Sequence, residues 1–299
     1  MLISLMKAVC PGIYFLNSIY NQNRCFCRKD VRMKTIVITG STKGIGLGLA
    51  REFLKRDCRV VISSRRASAV EQVCAELETQ YGTGTVTGLD CDITDIEQVQ
   101  ALWDHACKQF ERVDVWINNA GISHARKMLW ELDASEVSQV VDTNVTGMMN
   151  GCQVAVQGMR KQGCGCVYTT EGHGSNDMTL PGMSVYGTSK KAVRYFTQAL
   201  VKETEDSAVR VGVVSPGMVI TDLLVSDFQE MDSEQREQAR VIFNILADTV
   251  ETVTPWLVEQ ILKDQETGTW IEWMNDEKAQ KRFEDDAYLT RDLLSEFGI

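Results

Sequence analysis

Tyr186 and Lys190 stand four residues apart in the run Ser184-Val185-Tyr186-Gly187-Thr188-Ser189-Lys190-Lys191-Ala192. On a helix that spacing puts a phenol and an ammonium on one face. The positive charge favours phenolate and is expected to draw the tyrosine below its ordinary value of about 10. A phenol tuned in this way passes a proton to or from an oxygen near neutral pH. The same spacing also occurs as a plain solvated pair. It gains chemical meaning only if other elements bring reactive groups to it.

Those elements can be read from hydrophobic periodicity. Strands are expected at residues 35–39, 60–63, 85–89, 113–118, 166–170 and 209–214, with a seventh at 270–273. Leu47, Ala50, Phe53 and Leu54 recur at helical spacing, and further helices are expected at 69–81, 96–110, 135–162 and 185–207. Apolar strands alternating with amphipathic helices predict βαβ units, hence an α/β fold with a doubly wound parallel sheet covered on both faces. No repeat or linker breaks the pattern after Met33, so residues 33–299 are expected to form one domain. The stretch 222–239 carries Asp227, Glu230, Asp232, Glu234 and Glu237 and follows the sixth strand, where a ligand crevice opens. It reads as a solvated helical insertion reaching to about residue 250 and serving as a mobile substrate lid. The charged tail 276–299 has no legible chemistry.

Composition narrows the partners. The chain has 299 residues, a formal net charge of -10 and an isoelectric point near 5.0. Such a surface repels a phosphate backbone, which argues against nucleic acid. The ten Cys are scattered, only three His occur, and no zinc-type spacing appears, so no metal site is expected. The thiols read as reduced, in a cytoplasmic setting. Residues 1–32 differ from the rest and read as a poorly ordered extension. The apolar run 1–20 lacks the basic start of a signal peptide and is too short and interrupted for an integral membrane span. Membrane-surface association through residues 1–20 is the weaker alternative.

Thr39-Gly40-Ser41-Thr42-Lys43-Gly44-Ile45-Gly46 follows the first strand and opens the first helix. Glycines there permit a tight turn, and the helix N-terminus offers free N–H groups to a pyrophosphate. An acid at the end of the second strand normally holds a ribose 2′-hydroxyl. Here that strand ends Ser63-Ser64-Arg65-Arg66. With no acid present, NADP(H) is expected over NAD(H), its 2′-phosphate on Arg65 and Lys43 with Ser64 assisting. The alternative is that Arg65 and Arg66 serve only the start of the next helix.

With these pieces placed, the chain resembles the short-chain dehydrogenase/reductase family over residues 34 to about 221. The resemblance is carried by the glycine turn, Asp92-Ile93, Asn118-Asn119-Ala120-Gly121, Asn144, Tyr186/Lys190 and Ser215-Pro216-Gly217. It implies a Rossmann fold and a carbonyl or alcohol substrate of small-molecule size. By the resemblance, Asp92 binds the adenine amine with Ile93 beside it, and Asn118 supports the central strand. Asn119, Ala120 and Gly121 line the cofactor, and Pro216, Gly217, Val219 and Thr221 lie along the nicotinamide. Tyr186 is then the acid/base, Lys190 binds the ribose and lowers the tyrosine pKa, and Asn144 holds a relay water. A homodimer or homotetramer is implied too.

One departure stands out. The family places a Ser about thirteen residues before the Tyr, and this chain has His173 there. Ser175 is expected to donate to the substrate oxygen; His173 is the alternative donor, or a surface residue. A narrower similarity, to the chlorophyll b reductase branch, lies in Gly172-His173-Gly174-Ser175, in Val185–Lys190, in Ser215-Pro216-Gly217-Met218-Val219-Ile220-Thr221-Asp222-Leu223-Leu224 and in Phe243-Asn244-Ile245-Leu246. The expected function is NADP(H)-dependent reduction of a carbonyl. A dehydrogenase of hydroxysteroids or other bulky ketones is the alternative, and a non-catalytic NADP(H)-sensing module is a remote one.

Overall fold

The computed structural model describes residues 33–298. The expectation for residues 1–32 lies outside them. Seven parallel strands form the central sheet: β1 (Thr35–Thr39), β2 (Arg59–Ser64), β3 (Val86–Asp90), β4 (Val115–Asn118), β5 (Gly165–Thr170), β6 (Val209–Ser215) and β9 (Trp270–Glu272). A separate parallel pair comprises β7 (Val219–Ile220) and β8 (Asp248–Thr249). The sheet order is β3-β2-β1-β4-β5-β6-β9. The chain winds outward from β1 in one direction and from β4 in the other. The strand order therefore reverses between them, and the crevice at their carboxyl ends is where such sheets bind ligands.

The helices are α1 (Gly44–Leu54), α2 (Ala67–Tyr81), α3 (Ile96–Phe110), α4 (Ala134–Val141), α5 (Met148–Gln162), α6 (Ser184–Glu203), α7 (Asp222–Glu230), α8 (Ser233–Leu246), α9 (Val250–Lys263), α10 (Asp276–Phe283) and α11 (Asp286–Leu289). Successive strand residues point to opposite faces, which divides the core. Ile36, Ile38, Val60 and Ile62 pack with Leu49 and Phe53 of α1 and Leu257 of α9. Val37, Val61 and Trp116 pack on the other face with Leu102 of α3, Met159 of α5 and Val193 of α6. A third cluster of Ile220, Phe228, Met231, Phe243, Ala247 and Leu294 ties α7 and α8 to the C-terminal tail.

Two elements differ in detail from the periodicity. The helix expected over 135–162 is broken by a π-helical segment at Asp142–Gly147. Its backbone bonds are looser, and such insertions concentrate at functional sites. The charged stretch after β7 is not one helix but two, α7 and α8, which meet at Met231 and Asp232.

Candidate active site

The glycine turn is shaped by close approach. Gly40 has φ +64, and a Cβ there lies 2.8 Å from the Cα of Ala120. A Cβ on Gly46 lies 2.4 Å from the Gly40 carbonyl oxygen and 2.6 Å from Asn119 Nδ2. Asn119 closes the crevice floor: its amide donates to the carbonyls of Thr39 (2.9 Å) and Gly40 (3.0 Å). Thr39 Oγ1 accepts from the backbone N–H of both Asn119 and Ala120. Helix α1 begins after Thr42 and Lys43 with no side-chain cap and no acid in its first turn, leaving the N–H groups near Gly44 and Ile45 for an anion.

At the end of β2, Ser64 Oγ is buried without a partner and Arg65 is exposed. Lys43 Nζ is 2.9 Å from Asp222 Oδ2, at the start of α7. Asp92 holds the N–H and hydroxyl of Thr94, and Ile93 packs against Gly147 of the π segment. Thr221 lies against Gly44, Pro216 and Val219 are buried, and Gly217 abuts Met274. An orphaned serine hydroxyl, an uncapped helix and a cradle that a Cβ would fill all fit a dinucleotide.

Tyr186 and Lys190 share the face of α6 that meets the loop after β5. A Cβ on Gly172 lies 2.6 Å from the Tyr186 hydroxyl and 3.3 Å from Lys190 Cε. A Cβ on Gly121 lies 3.2 Å from Asn144 Oδ1 and 3.6 Å from Lys190 Nζ. Gly121, Asn144, Gly172, Tyr186 and Lys190 are therefore brought to one place. The π segment turns Asn144 so that its amide donates to the Ile122 carbonyl (2.8 Å) and Ser189 Oγ (3.0 Å), while its Oδ1 accepts from Ile122 N–H (2.8 Å). Asn118 accepts from Trp116 Nε1 and donates to Cys152 Sγ and the Tyr168 carbonyl, bracing β4 against β5 and α5.

The electrostatics differ from what spacing suggests. Lys190 Nζ donates to the Thr170 carbonyl at 3.1 Å and lies 5.8 Å from the centre of the Tyr186 ring. Burial, with the Asp227 charge adding to it, pushes Tyr186 up to about 12. Burial pushes Lys190 down to about 8, with Glu171 opposing. The expected lowering of Tyr186 is thus reversed in the chain alone, because burial, with the Asp227 charge adding to it, disfavours the phenolate.

Ser175 and His173 take different places. Ser175 is buried and donates its hydroxyl to Glu171 Oε2 at 3.2 Å, and Glu171 is held by Arg194 through two contacts of 2.6 Å. His173 Nε2 is buried without a hydrogen-bond partner. Burial, then the Arg126 charge, holds His173 below its ordinary value, against the pull of Asp227.

Three residues of the site carry no signal in the sequence. His124 Nε2 accepts from Tyr186 N–H at 3.4 Å, and its Nδ1 lies 2.6 Å from the Ala125 carbonyl, so the proton belongs on Nδ1. His124 thereby satisfies one of the open N–H groups in the first turn of α6. Arg126 pairs with Asp227 of α7 across 101 positions of sequence. Beside them, Ile122, His124, Arg126, Lys127, Glu136 and Gln139 line a cleft of about 610 Å³. Among the described residues, no group of three or more His, Cys, Asp or Glu is placed to hold a metal, and no helix is long and apolar enough to cross a membrane.

The fold and the site define a dinucleotide-binding oxidoreductase of the doubly wound class. A family model for short chain dehydrogenases matches residues 34–232. The chain belongs to the short-chain dehydrogenase/reductase family and is an NAD(P)-dependent oxidoreductase. It is similar to the chloroplastic chlorophyll(ide) b reductase NOL of Oryza sativa subsp. japonica, at 37% identity over 83% of this chain and 73% of the relative. With its Arabidopsis thaliana counterpart it shares 38% over 82% of this chain and 71% of the relative. Its similarity thus lies with the chlorophyll b reductase-like branch. A solved structure of ElxO with NADP bound superposes with a TM-score of 0.69 at 28% identity, covering 81% of this chain and 97% of that one.

Proposed function

We propose that this protein is an NADPH-dependent reductase of a carbonyl, most readily an aldehyde or ketone on a bulky ring system of the chlorin kind. The observation that carries the reading is the convergence of Tyr186, Lys190 and Asn144 on Gly121 and Gly172, at the carboxyl ends of β4 and β5. The names of the plant relatives support the ring substrate.

The reduced nicotinamide, when bound, supplies a hydride to the carbonyl carbon. Tyr186, held as a neutral phenol, gives its proton to the developing alkoxide oxygen. Lys190, fixed by the Thr170 carbonyl, offers an ammonium that favours the phenolate left behind. Asn144 positions a water behind Lys190 from which the proton is replaced. His173 is the better supported donor to the substrate oxygen, because its Nε2 is free of partners while the Ser175 hydroxyl is engaged by Glu171. Ser175 then acts by shaping the loop.

The end of β2 supports NADP(H) over NAD(H), with Arg65 on the 2′-phosphate and Ser64 beside it; Lys43 joins them by leaving Asp222. Assembly into a homodimer or homotetramer through α5 and α6 belongs to the same reading. It is supported by the exposed Tyr195 on α6. Comparing kcat/KM for NADPH and NADH in the wild type and in Arg65→Ala tests the cofactor assignment. A preference for NADPH that falls by about tenfold or more in the variant is expected. Equal use of the two cofactors by the wild type would contradict it.

A further inference from the structure

Glu171 follows β5 directly, and its side chain is fully buried. Its N–H donates to the Val214 carbonyl at 2.9 Å, which ties the start of the loop to β6. The residues on either side of it both touch Lys190. The Thr170 carbonyl accepts from Lys190 Nζ at 3.1 Å. A Cβ on Gly172 would lie 3.3 Å from Lys190 Cε and 2.6 Å from the Tyr186 hydroxyl. The acid is therefore built into the short segment that grips the reacting pair.

A carboxylate taken out of water is costly unless donors surround it. Arg194 supplies two, Nε to Oε1 and Nη2 to Oε2, both at 2.6 Å, in the two-pronged geometry that a guanidinium makes with a carboxylate. Ser175 Oγ donates to Oε2 at 3.2 Å and Trp270 Nε1 to Oε1 at 3.4 Å. Donors thus meet both oxygens, as an acceptor-only anion requires. A plain anchor between sheet and helix would account for Arg194 and Trp270. It does not account for an anion set beside a buried amine. Lys190 stands one turn before Arg194 on α6 and is only 7% exposed, and a buried ammonium is disfavoured unless a negative charge offsets the loss of water. The Arg194 side chain is 21% exposed and also faces Glu272 across 4.0 Å, so its charge is screened by water and shared with a second acid, while that of Glu171 is sheltered. From the π segment Asn144 brings an uncharged amide. Asp227 acts on Tyr186 and His173, and Arg126 acts on His173. For Lys190 the charge that opposes burial is that of Glu171.

We infer that Glu171 is a positioning residue of the reaction: acting through Lys190, its buried carboxylate keeps that amine an ammonium beside the Tyr186 phenol, while Arg194, Ser175 and Trp270 hold the carboxylate in place. The inference rests on the reductase reading above and adds the group that sets the pH range over which Lys190 serves it.

The test compares wild type, Glu171→Gln and Glu171→Asp in two measurements. The first is the pH profile of the reductive kcat with NADPH and a chlorin aldehyde. The limb expected at about pH 8 in the wild type should move down to about pH 7 in Glu171→Gln, whose neutral side chain no longer offsets burial. Glu171→Asp keeps the charge at a shorter reach, and its limb should fall between the two. A merely structural role lowers kcat at every pH and leaves the limb in place. That result, or a limb that moves upward, overturns the proposal. The second measurement is the titration of Lys190 itself, by carbon NMR of the full chain isotopically labelled at lysine Cε, its resonance identified by its loss in Lys190→Met. Midpoints of about 8 in the wild type and about 7 in Glu171→Gln support the proposal, and equal midpoints overturn it. If the wild type turns over no chlorin aldehyde, the reductase reading fails for this substrate class, while the NMR titration still decides the role of Glu171. If Glu171→Gln does not fold, Glu171→Asp decides by the same readouts: a limb or midpoint below that of the wild type supports the proposal, and an unchanged one overturns it.

Discussion

At the scale of single residues, the site depends on two shifted protons. Burial and Asp227 keep Tyr186 protonated up to about 12, which suits it to giving a proton and so to reduction. Burial holds Lys190 near 8, well below an ordinary lysine. Lys190 is an ammonium below that value and neutral above it, so its pull on the emerging phenolate is present at low pH and lost as pH rises through about 8. The reductive kcat is therefore expected to hold at neutral pH and to fall along a single limb near 8, measured between about pH 6 and 10. A rate that climbs through that window would contradict the assignment. Tyr186, Lys190, Asn118 and Asn144 were legible because each sits in a short motif and the motifs come in a fixed order. Arg126, Asp227 and His124 were not, because they act only through contacts that the fold creates, 101 positions apart in the first pair and 62 from His124 to Tyr186. The sign of the Tyr186 shift was also out of reach, since spacing reveals a neighbouring charge but not the loss of water around it.

At the scale of elements, the strands and most helices were readable from periodicity because each buries a face or a whole run. The π segment at Asp142–Gly147 was not, since a single inserted residue leaves the apolar pattern almost intact while rotating Asn144 toward Ile122. The loop after β5 is equally specific. Gly172 leaves just enough room for the Tyr186 hydroxyl, and an added methyl at 2.6 Å forces the phenol or the loop to move. Gly172→Ala is expected to lower kcat by about a hundredfold through misplacement of roughly an ångström, while NADPH binding persists. Stopped-flow reduction beside a fluorescence titration of NADPH checks this, and an unchanged kcat would show that the hydroxyl is not confined there.

At the scale of the whole molecule, the tail that offered no chemistry in the sequence has a mechanical role. Arg282 and Arg291 reach the carbonyls of Asn244, Ile245, Leu246 and Ala247, closing the open C-terminal end of α8. Arg282 also meets Asp248 at 2.7 Å, with side chains 4% and 5% exposed, and Tyr288 lies against both guanidinium groups. The C-terminal end of α8 is thus fastened from beyond the stretch that the family model matches. Such a fastening has no local signature, because charged residues in a terminal segment usually face water. Arg282→Met leaves Asp248 short of its principal partner and is expected to cost about 3–5 kcal/mol of stability in chemical denaturation, with faster hydrogen exchange in α7 and α8. An unchanged midpoint would refute the clasp.

The proposed reading at all three scales turns on Tyr186 as the proton donor. The direct measurement is the NADPH-dependent reduction of a chlorin aldehyde by wild type and Tyr186→Phe, with NADPH binding titrated on both. Turnover is predicted to fall by about a thousandfold in the variant while NADPH affinity stays within about twofold. A variant that reduces the aldehyde at the wild-type rate would contradict the account.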